Sequence, residues 1–307
     1  MGLDLQRGES GNDMRTESAI IILKTMTPTR VGAGQSAGLI DQPIMRLAST
    51  NWPVIPGTSL KGVLKAAHVD SWLDDNKSGY DRVSDAVADL GGIYGSDNSS
   101  DPYMGSLRLR DLLPLLFPVK SLYGVFGYVT CPMALEELSD AAASIGITLR
   151  LPTFSIGTNP DRPKALTPRG SQVIQGTEII LDEFDFIGEI NDQATQLAAL
   201  LAPIVKIDLQ KLSQRLVVVS DEMFTFITQM CTEVRTRTAL EYASKSVRGG
   251  SLRTEEFVPS RAVFASVATV ASGDEDRFYR EQVLQVGAEE SVGMGVVRWF
   301  GVTEVAA

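Results

Sequence analysis

The sequence predicts an α+β fold, on three observations. Strand-like apolar runs and helical periodicities both occur, but without strict βαβ alternation. The run Ala19 to Met26 is apolar and β-branched enough for a central strand. A basic, irregular middle looks like an insertion into the body. Of the 307 residues, 44% are hydrophobic and 21% charged, which suits a globular chain of one large or two modest domains.

Taken in order, residues 1–18 are polar and glycine-containing and read as a flexible lead-in without a signal core. The strand at Ala19–Met26 ends in Thr27-Pro28-Thr29, followed by a glycine-rich loop from Val31 to Gly38 and the segment Leu39 to Arg46. Pro56 and Gly57 break the strand-like run Trp52 to Ile55. Thr58 or Ser59 can then cap a helix in which Leu60, Val63, Leu64 and Ala67 recur at helical spacing. Lys61 and Lys65 sit four apart on its other face, and a capped helix start beside lysines can hold a phosphate. Helical spacing returns from Arg82 to Leu90, and Gly91 to Gly105 has loop composition. Leu107 to Leu113 opens with alternating leucines and arginines, the pattern of a half-buried strand. Helices are expected at Pro132–Ala143, Asp192–Val205 and Asp221–Met230. Strands are expected at Val173–Leu181, Leu216–Val219, Thr232–Leu240, Ala262–Val270 and Val296–Val302. Leu151 to Ser171 carries prolines, glycines and basic residues without a clear period and reads as an extended loop or protruding hairpin.

Several function classes are disfavoured. No run approaches the roughly 18 apolar residues of a membrane span, so a cytoplasmic protein without membrane contact is expected. His68 is the single histidine and sits mid-helix, where a packed or surface role is favoured over a catalytic triad. With two cysteines, Cys131 and Cys231, and no Cys-x-x-Cys pair, a structural zinc site is disfavoured. The net charge of −10 argues against a uniformly basic nucleic-acid binder, yet Arg235, Arg237, Lys245, Arg248 and Arg253 form one local basic cluster and Arg162, Lys164 and Arg169 another.

A second glycine-rich element, Leu284 to Arg298, runs Gly287…Gly293-x-Gly295 into a strand, so it is neither a dinucleotide fingerprint nor a Walker loop. Its glycines could let backbone N–H groups approach an anion. Together with Gly32–Gly38 and the helix start at Gly57–Lys61, it resembles the RAMP superfamily of CRISPR RNA-binding subunits. The run Phe117-Pro118-Val119-Lys120-Ser121-Leu122-Tyr123-Gly124-Val125-Phe126, with Val129-Thr130-Cys131-Pro132, is more specific and is similar to the backbone subunits of Cmr (type III-B) complexes.

That resemblance implies a ferredoxin-like, RRM-type palm (19–150 and 173–307) with an inserted β-hairpin thumb at 151–172. Copies of the chain would stack along a CRISPR RNA (crRNA) beside other Cmr-type subunits and cut complementary target RNA at regular intervals. The family's catalytic aspartate falls on Asp41 in Asp41-Gln42-Pro43-Ile44, which would hold a divalent metal, Mg²⁺ in the first instance, or help deprotonate a 2′-hydroxyl. Where some members carry a histidine, this chain has Arg30, which could stabilise phosphate charge but cannot act as a base near neutral pH. Glu255 and Glu256 are weaker candidates for assisting Asp41. Guide phosphates would be held by Gly34, Arg46, Gly57, Ser59, Lys61, Lys65, Gly287, Gly293, Gly295 and Arg298, and Leu151, Phe154 and Ile156 would form the thumb tip. A purely architectural RNA-binding subunit, or the Csm-type counterpart, remains the alternative.

Overall fold

The computed structural model describes residues 16–34, 38–75, 83–96, 102–157 and 162–304. Along the chain run β1 (Thr16–Thr25), α1 (Gly57–Asp75), α2 (Val83–Asp89), α3 (Gly91–Tyr94), β2 (Arg108–Leu109), β3 (Leu113–Lys120), β4 (Phe126–Thr130) and α4 (Pro132–Ala143). There follow β5 (Lys164–Thr167), β6 (Glu178–Leu181), β7 (Phe184–Ile190), α5 (Asp192–Ile204), α6 (Leu209–Ser213), β8 (Leu216–Val219) and α7 (Asp221–Met230). The last elements are β9 (Glu233–Arg237), β10 (Arg253–Phe257), β11 (Val263–Ala271), α8 (Glu275–Tyr279), β12 (Gln282–Gln285) and β13 (Val296–Val302).

The α+β expectation holds in its coarse form: one large mixed sheet runs β12-β13-β1-β11-β3-β4-β8-β5-β7-β6, with β2 beside β11, and β9–β10 make a separate two-stranded hairpin. Most pairings are antiparallel; β4–β8 and β5–β7 are parallel. β1 lies between β11 and β13 and is the apolar run read from the sequence, beginning at Thr16 rather than Ala19. It is buried on both faces, as such a run must be. Ile21 and Leu23 join one core, where Leu60 and Leu64 of α1 lie; Ile20 and Ile22 join the other, with Leu135 and Leu138 of α4 and Leu197 and Leu201 of α5.

The expected lead-in lies, as far as residue 15, outside the described residues. The thumb expected at 151–172 is corrected. Lys164–Thr167 is β5, an inner strand flanked by β7 and β8. Upstream, Ile145, Ile147, Leu149, Leu151, Phe154 and Ile156 are half-buried against the second core, on the side of α4. Their spacing is mostly period two, so an extended segment lays one row of side chains on the body and the other in water. Leu151, Phe154 and Ile156 therefore pack on the protein's own surface and are not the tip of a hairpin.

The element that does protrude is β9–β10. Its connecting residues 238–252 are almost wholly exposed, including Leu240, Tyr242 at 88% and Leu252.

Candidate nucleic-acid interface

Asp41 is presented by an edge pairing to β10. Gln42 donates its N–H to the Thr254 carbonyl at 3.1 Å, and Glu256 donates its N–H to the Gln42 carbonyl at 3.0 Å. Asp41 closes the end of this pairing. Its Oδ2 accepts the Thr254 N–H at 2.7 Å and the Thr254 hydroxyl at 3.0 Å, and its own N–H donates to Thr254 Oγ1 at 3.0 Å. These bonds, the backbone one first, hold the fully exposed Asp41 carboxyl below the usual carboxylate range. The site therefore offers one ionised carboxylate, oriented on one oxygen and open to solvent.

Glu255 and Glu256 lie beside it in sequence but are turned inward, with 0% and 3% exposure. Glu256 accepts hydrogen bonds from Arg46 Nη2 at 2.5 Å, Thr232 Oγ1 at 2.9 Å and the Ile44 N–H at 3.1 Å. Arg46 also donates to the carbonyls of Asn51 and Thr228, so its guanidinium is occupied within the protein. Glu255 accepts from Arg253 Nε at 2.7 Å; Arg237 Nε stands 2.9 Å from its other oxygen, a contact of charges rather than an aligned hydrogen bond. Arg30 is buried between Glu289, at 3.3 Å, and the Phe257 ring, 6.0 Å away. Its guanidinium serves this internal ion network.

Glycines of the C-terminal loop divide in two. Gly287, at φ +85°, passes under Arg30 so closely that a Cβ would stand 2.1 Å from the Arg30 carbonyl oxygen. Gly295, at φ +78°, would meet the Val286 carbonyl oxygen at 2.3 Å. Both fit the protein's own backbone. Several N–H groups of the loop are also bonded internally: Ala288 to the Arg30 carbonyl, Met294 to that of Glu289, Gly295 to that of Pro28. Gly293, like Gly34 in the first loop, faces open space.

The start of α1 opens onto a groove of about 470 Å³ lined by Gly57, Thr58, Lys61, Arg108, Arg110 and the β11 edge. The Gly57 N–H donates to Asp111 Oδ1 at 2.9 Å, so a carboxylate from elsewhere in the chain supplies the cap expected of Thr58 or Ser59, both of which are exposed. Lys61 reaches the Leu107 carbonyl at 3.4 Å; burial, then Lys65, lowers its pKa. Arg108 and Arg110 are exposed, and neither forms an ion pair among the described residues. They were not singled out as ligands, though the alternation of arginines with leucines that marked the strand also puts both on one face. Arg298 is half-exposed and paired with Glu281 at 2.8 Å, away from this groove.

No group of three or more His, Cys, Asp or Glu side chains among the described residues could hold a metal by itself. Asp41 can supply a single hard oxygen, and Mg²⁺ commonly takes one or two carboxylates with phosphate oxygens completing its shell. The residue fits that role as one ligand.

A large mixed sheet, a protruding hairpin and an exposed carboxylate paired to that hairpin are the features the comparisons bear on. The RAMP superfamily model matches residues 22–298, so the chain belongs to that superfamily. It is 27% identical to "CRISPR system Cmr endoribonuclease Cmr4" of Pyrococcus furiosus, over 91% of this chain and 94% of that one. It is 25% identical to "CRISPR system CMR subunit Cmr4" of Saccharolobus solfataricus, over 91% and 95%. The fold matches the crystal structure of oligomeric Cmr4 from Pyrococcus furiosus with a TM-score of 0.66 and 24% identity, over 93% of this chain and 98% of that one. A chain of the type III-B Cmr-beta complex bound to cognate target RNA matches with a TM-score of 0.69 and 19% identity, over 94% and 98%. No helix among the described residues is long and apolar enough to cross a membrane.

Proposed function

We propose that this chain is a backbone subunit of a type III-B CRISPR effector, binding crRNA in a stack of its own copies and cutting complementary target RNA through Asp41. The observation that carries the reading is the exposed carboxylate itself, fixed by Thr254 of β10, in a chain similar along most of its length to a Cmr endoribonuclease. The antiparallel β1–β11 core with α1 against one face supports a ferredoxin-like palm.

In the reaction, the 2′-hydroxyl of one nucleotide attacks its 3′ phosphate. A P–O2′ bond forms, the P–O5′ bond breaks, and the products are a 2′,3′-cyclic phosphate and a 5′-hydroxyl. Asp41, ionised and open on one side, orients or takes up the proton of the attacking hydroxyl. A divalent ion held by Asp41 and phosphate oxygens would neutralise charge on the reacting phosphate. Lys61, Arg108 and Arg110 supply phosphate contacts that set register without reading sequence, which falls to guide–target pairing. The exposed Leu240, Tyr242 and Leu252 of the hairpin give apolar side chains that can wedge between bases.

The test is target cleavage by the reconstituted complex with Mg²⁺, wild type against Asp41→Ala. Regularly spaced cuts that vanish in the variant, with target binding kept, are the expected result. Cuts that survive would move the chemistry away from Asp41, and guide-directed binding without cuts in either protein would leave a purely architectural subunit.

A further inference from the structure

β10 has two faces with different work. Thr254 and Glu256 point towards the Asp41–Ile44 segment, whereas Arg253, Glu255 and Phe257 point to the other side, next to Arg235 and Arg237 of β9. On that second face three guanidiniums, Arg30, Arg237 and Arg253, share two carboxylates. Glu255 contacts Arg253 at 2.7 Å and Arg237 at 2.9 Å. Glu289 contacts Arg237 at 2.6 Å, Arg30 at 3.3 Å and Arg253 at 4.0 Å. Glu289 comes from the glycine-rich loop and sits in the left-handed region at φ +70°. The close passage of Gly287 under the Arg30 carbonyl holds that loop in place.

We infer that Thr254 and Glu289 are positioning residues for Asp41: Thr254 orients the carboxylate directly, and Glu289 braces the strand that carries Thr254. The inference rests on Asp41 being the reacting carboxylate. At its base β10 is anchored by Phe257, fully buried in the body, but Arg253 and Thr254 at its other end have no comparable apolar anchor. Backbone pairing to β9 and to Gln42 holds that end, and on its arginine face the ion pairs add to it. Neutralising Glu289 leaves three guanidiniums on one carboxylate, so they repel and the end of β10 is released. Asp41 follows, because its carboxylate and its N–H are both bonded to Thr254. A displacement of about 1 Å at a reacting group lowers rate by roughly 100-fold. The glycine-rich loop thus serves as an internal brace for the site.

The experiment uses the reconstituted complex with guide RNA and saturating target, comparing wild type, Asp41→Ala, Thr254→Val, Thr254→Ser and Glu289→Gln. It reads the single-turnover rate constant, the cleaved amplitude and the target Kd. Thr254→Val lowers the rate constant by roughly 10- to 100-fold, with amplitude and Kd unchanged. Thr254→Ser, which keeps the hydroxyl, recovers most of that loss. Glu289→Gln lowers the rate constant by about 10-fold. Combined with Thr254→Val it adds less than its separate factor, because both act through Asp41. A merely structural role would lower amplitude and leave the rate constant in place, which overturns the inference. Unchanged rate constants beside an inactive Asp41→Ala overturn it too, while leaving the nuclease reading intact. Absence of cuts in wild type removes both. Should Glu289→Gln fail to assemble, the Thr254 pair decides alone.

Discussion

Burial acts on His68 and hydrogen bonding acts on Asp41, and both lower a pKa with opposite consequences for charge. His68 is 4% exposed on α1, with Tyr94 Oη 2.7 Å from its Nδ1. Desolvation first, then Arg277 and Arg280, pushes it down to about 4, so it is neutral near pH 7. Asp41 is charged at the same pH and fully exposed. Of the packed and surface roles expected for it, the histidine takes the packed one, about two turns along α1 from Lys61. Its linkage has a definite sign. Between its ordinary 6.5 and about 4 the unfolded chain binds a proton that the folded chain refuses, so stability is complete above pH 6.5 and falls as pH drops through that window. The loss approaches roughly 3 kcal/mol by pH 4. Tm should therefore fall between pH 7 and 4.5 in wild type and fall less steeply in His68→Leu. The comparison is of slopes, because the substitution also strands the Tyr94 hydroxyl. Equal slopes would assign the acid sensitivity to other groups.

Elements whose signals are local were legible. Pro132–Ala143, Leu216–Val219, Asp221–Met230 and Val296–Val302 appear with the boundaries their periodicity and end residues predict. The cap expected of Thr58 or Ser59 failed because Asp111, 54 residues further along the chain, caps α1 instead, whereas α7 is capped by its own neighbour Ser220. β5 was illegible because Lys164–Thr167 stands between two prolines and mixes charged, apolar and polar residues, whereas the equally short β8 is wholly apolar; its neighbours β7 and β8 come later in the chain. Asp41 could be placed by resemblance. The roles of Glu256, Arg46 and Arg30 could not, because each depends on segments more than 200 residues apart in the chain, and that of Glu255 could not because it depends on which face of β10 turns inward. Glu256 shows how much rests on such a meeting: it joins β10 to Arg46, Thr232 and the Ile44 backbone in a nearly dry site. Glu256→Ala leaves the partly buried Arg46 without its charge partner, and breaking a fully buried pair costs about 3–5 kcal/mol, the upper bound here. Denaturant unfolding of the isolated subunit should show a loss approaching that size. A loss under about 1 kcal/mol would mean that water reaches Arg46 and the site is not sealed.

For the whole molecule the problem is charge. On the proposed function a chain with net charge −10 holds an RNA backbone, so its cations have to be gathered where the RNA runs. Five arginines are already committed: Arg30, Arg46, Arg237 and Arg253 face carboxylates around the β9–β10 strands, and Arg298 pairs with Glu281. Such pairs release few counterions when RNA arrives, because their charge is already neutralised. Arg108 and Arg110 differ, standing exposed and without ion pairs among the described residues beside Lys61 and the start of α1. The acidic remainder repels RNA from other faces and limits binding to this strip. Salt dependence separates the two kinds of arginine. For single-stranded RNA each phosphate contact contributes about 0.7 to the slope of log K against log salt. The double variant Arg108→Gln/Arg110→Gln should therefore flatten the slope for guide-RNA binding by about 1.4, and weaken binding alike for guides of any sequence. Arg298→Gln, which removes a charge already paired with Glu281, should leave the slope nearly as it was. A slope unmoved by the double variant would take the RNA path off this groove, and the first place to look next would be the exposed Lys245 and Arg248 on the hairpin.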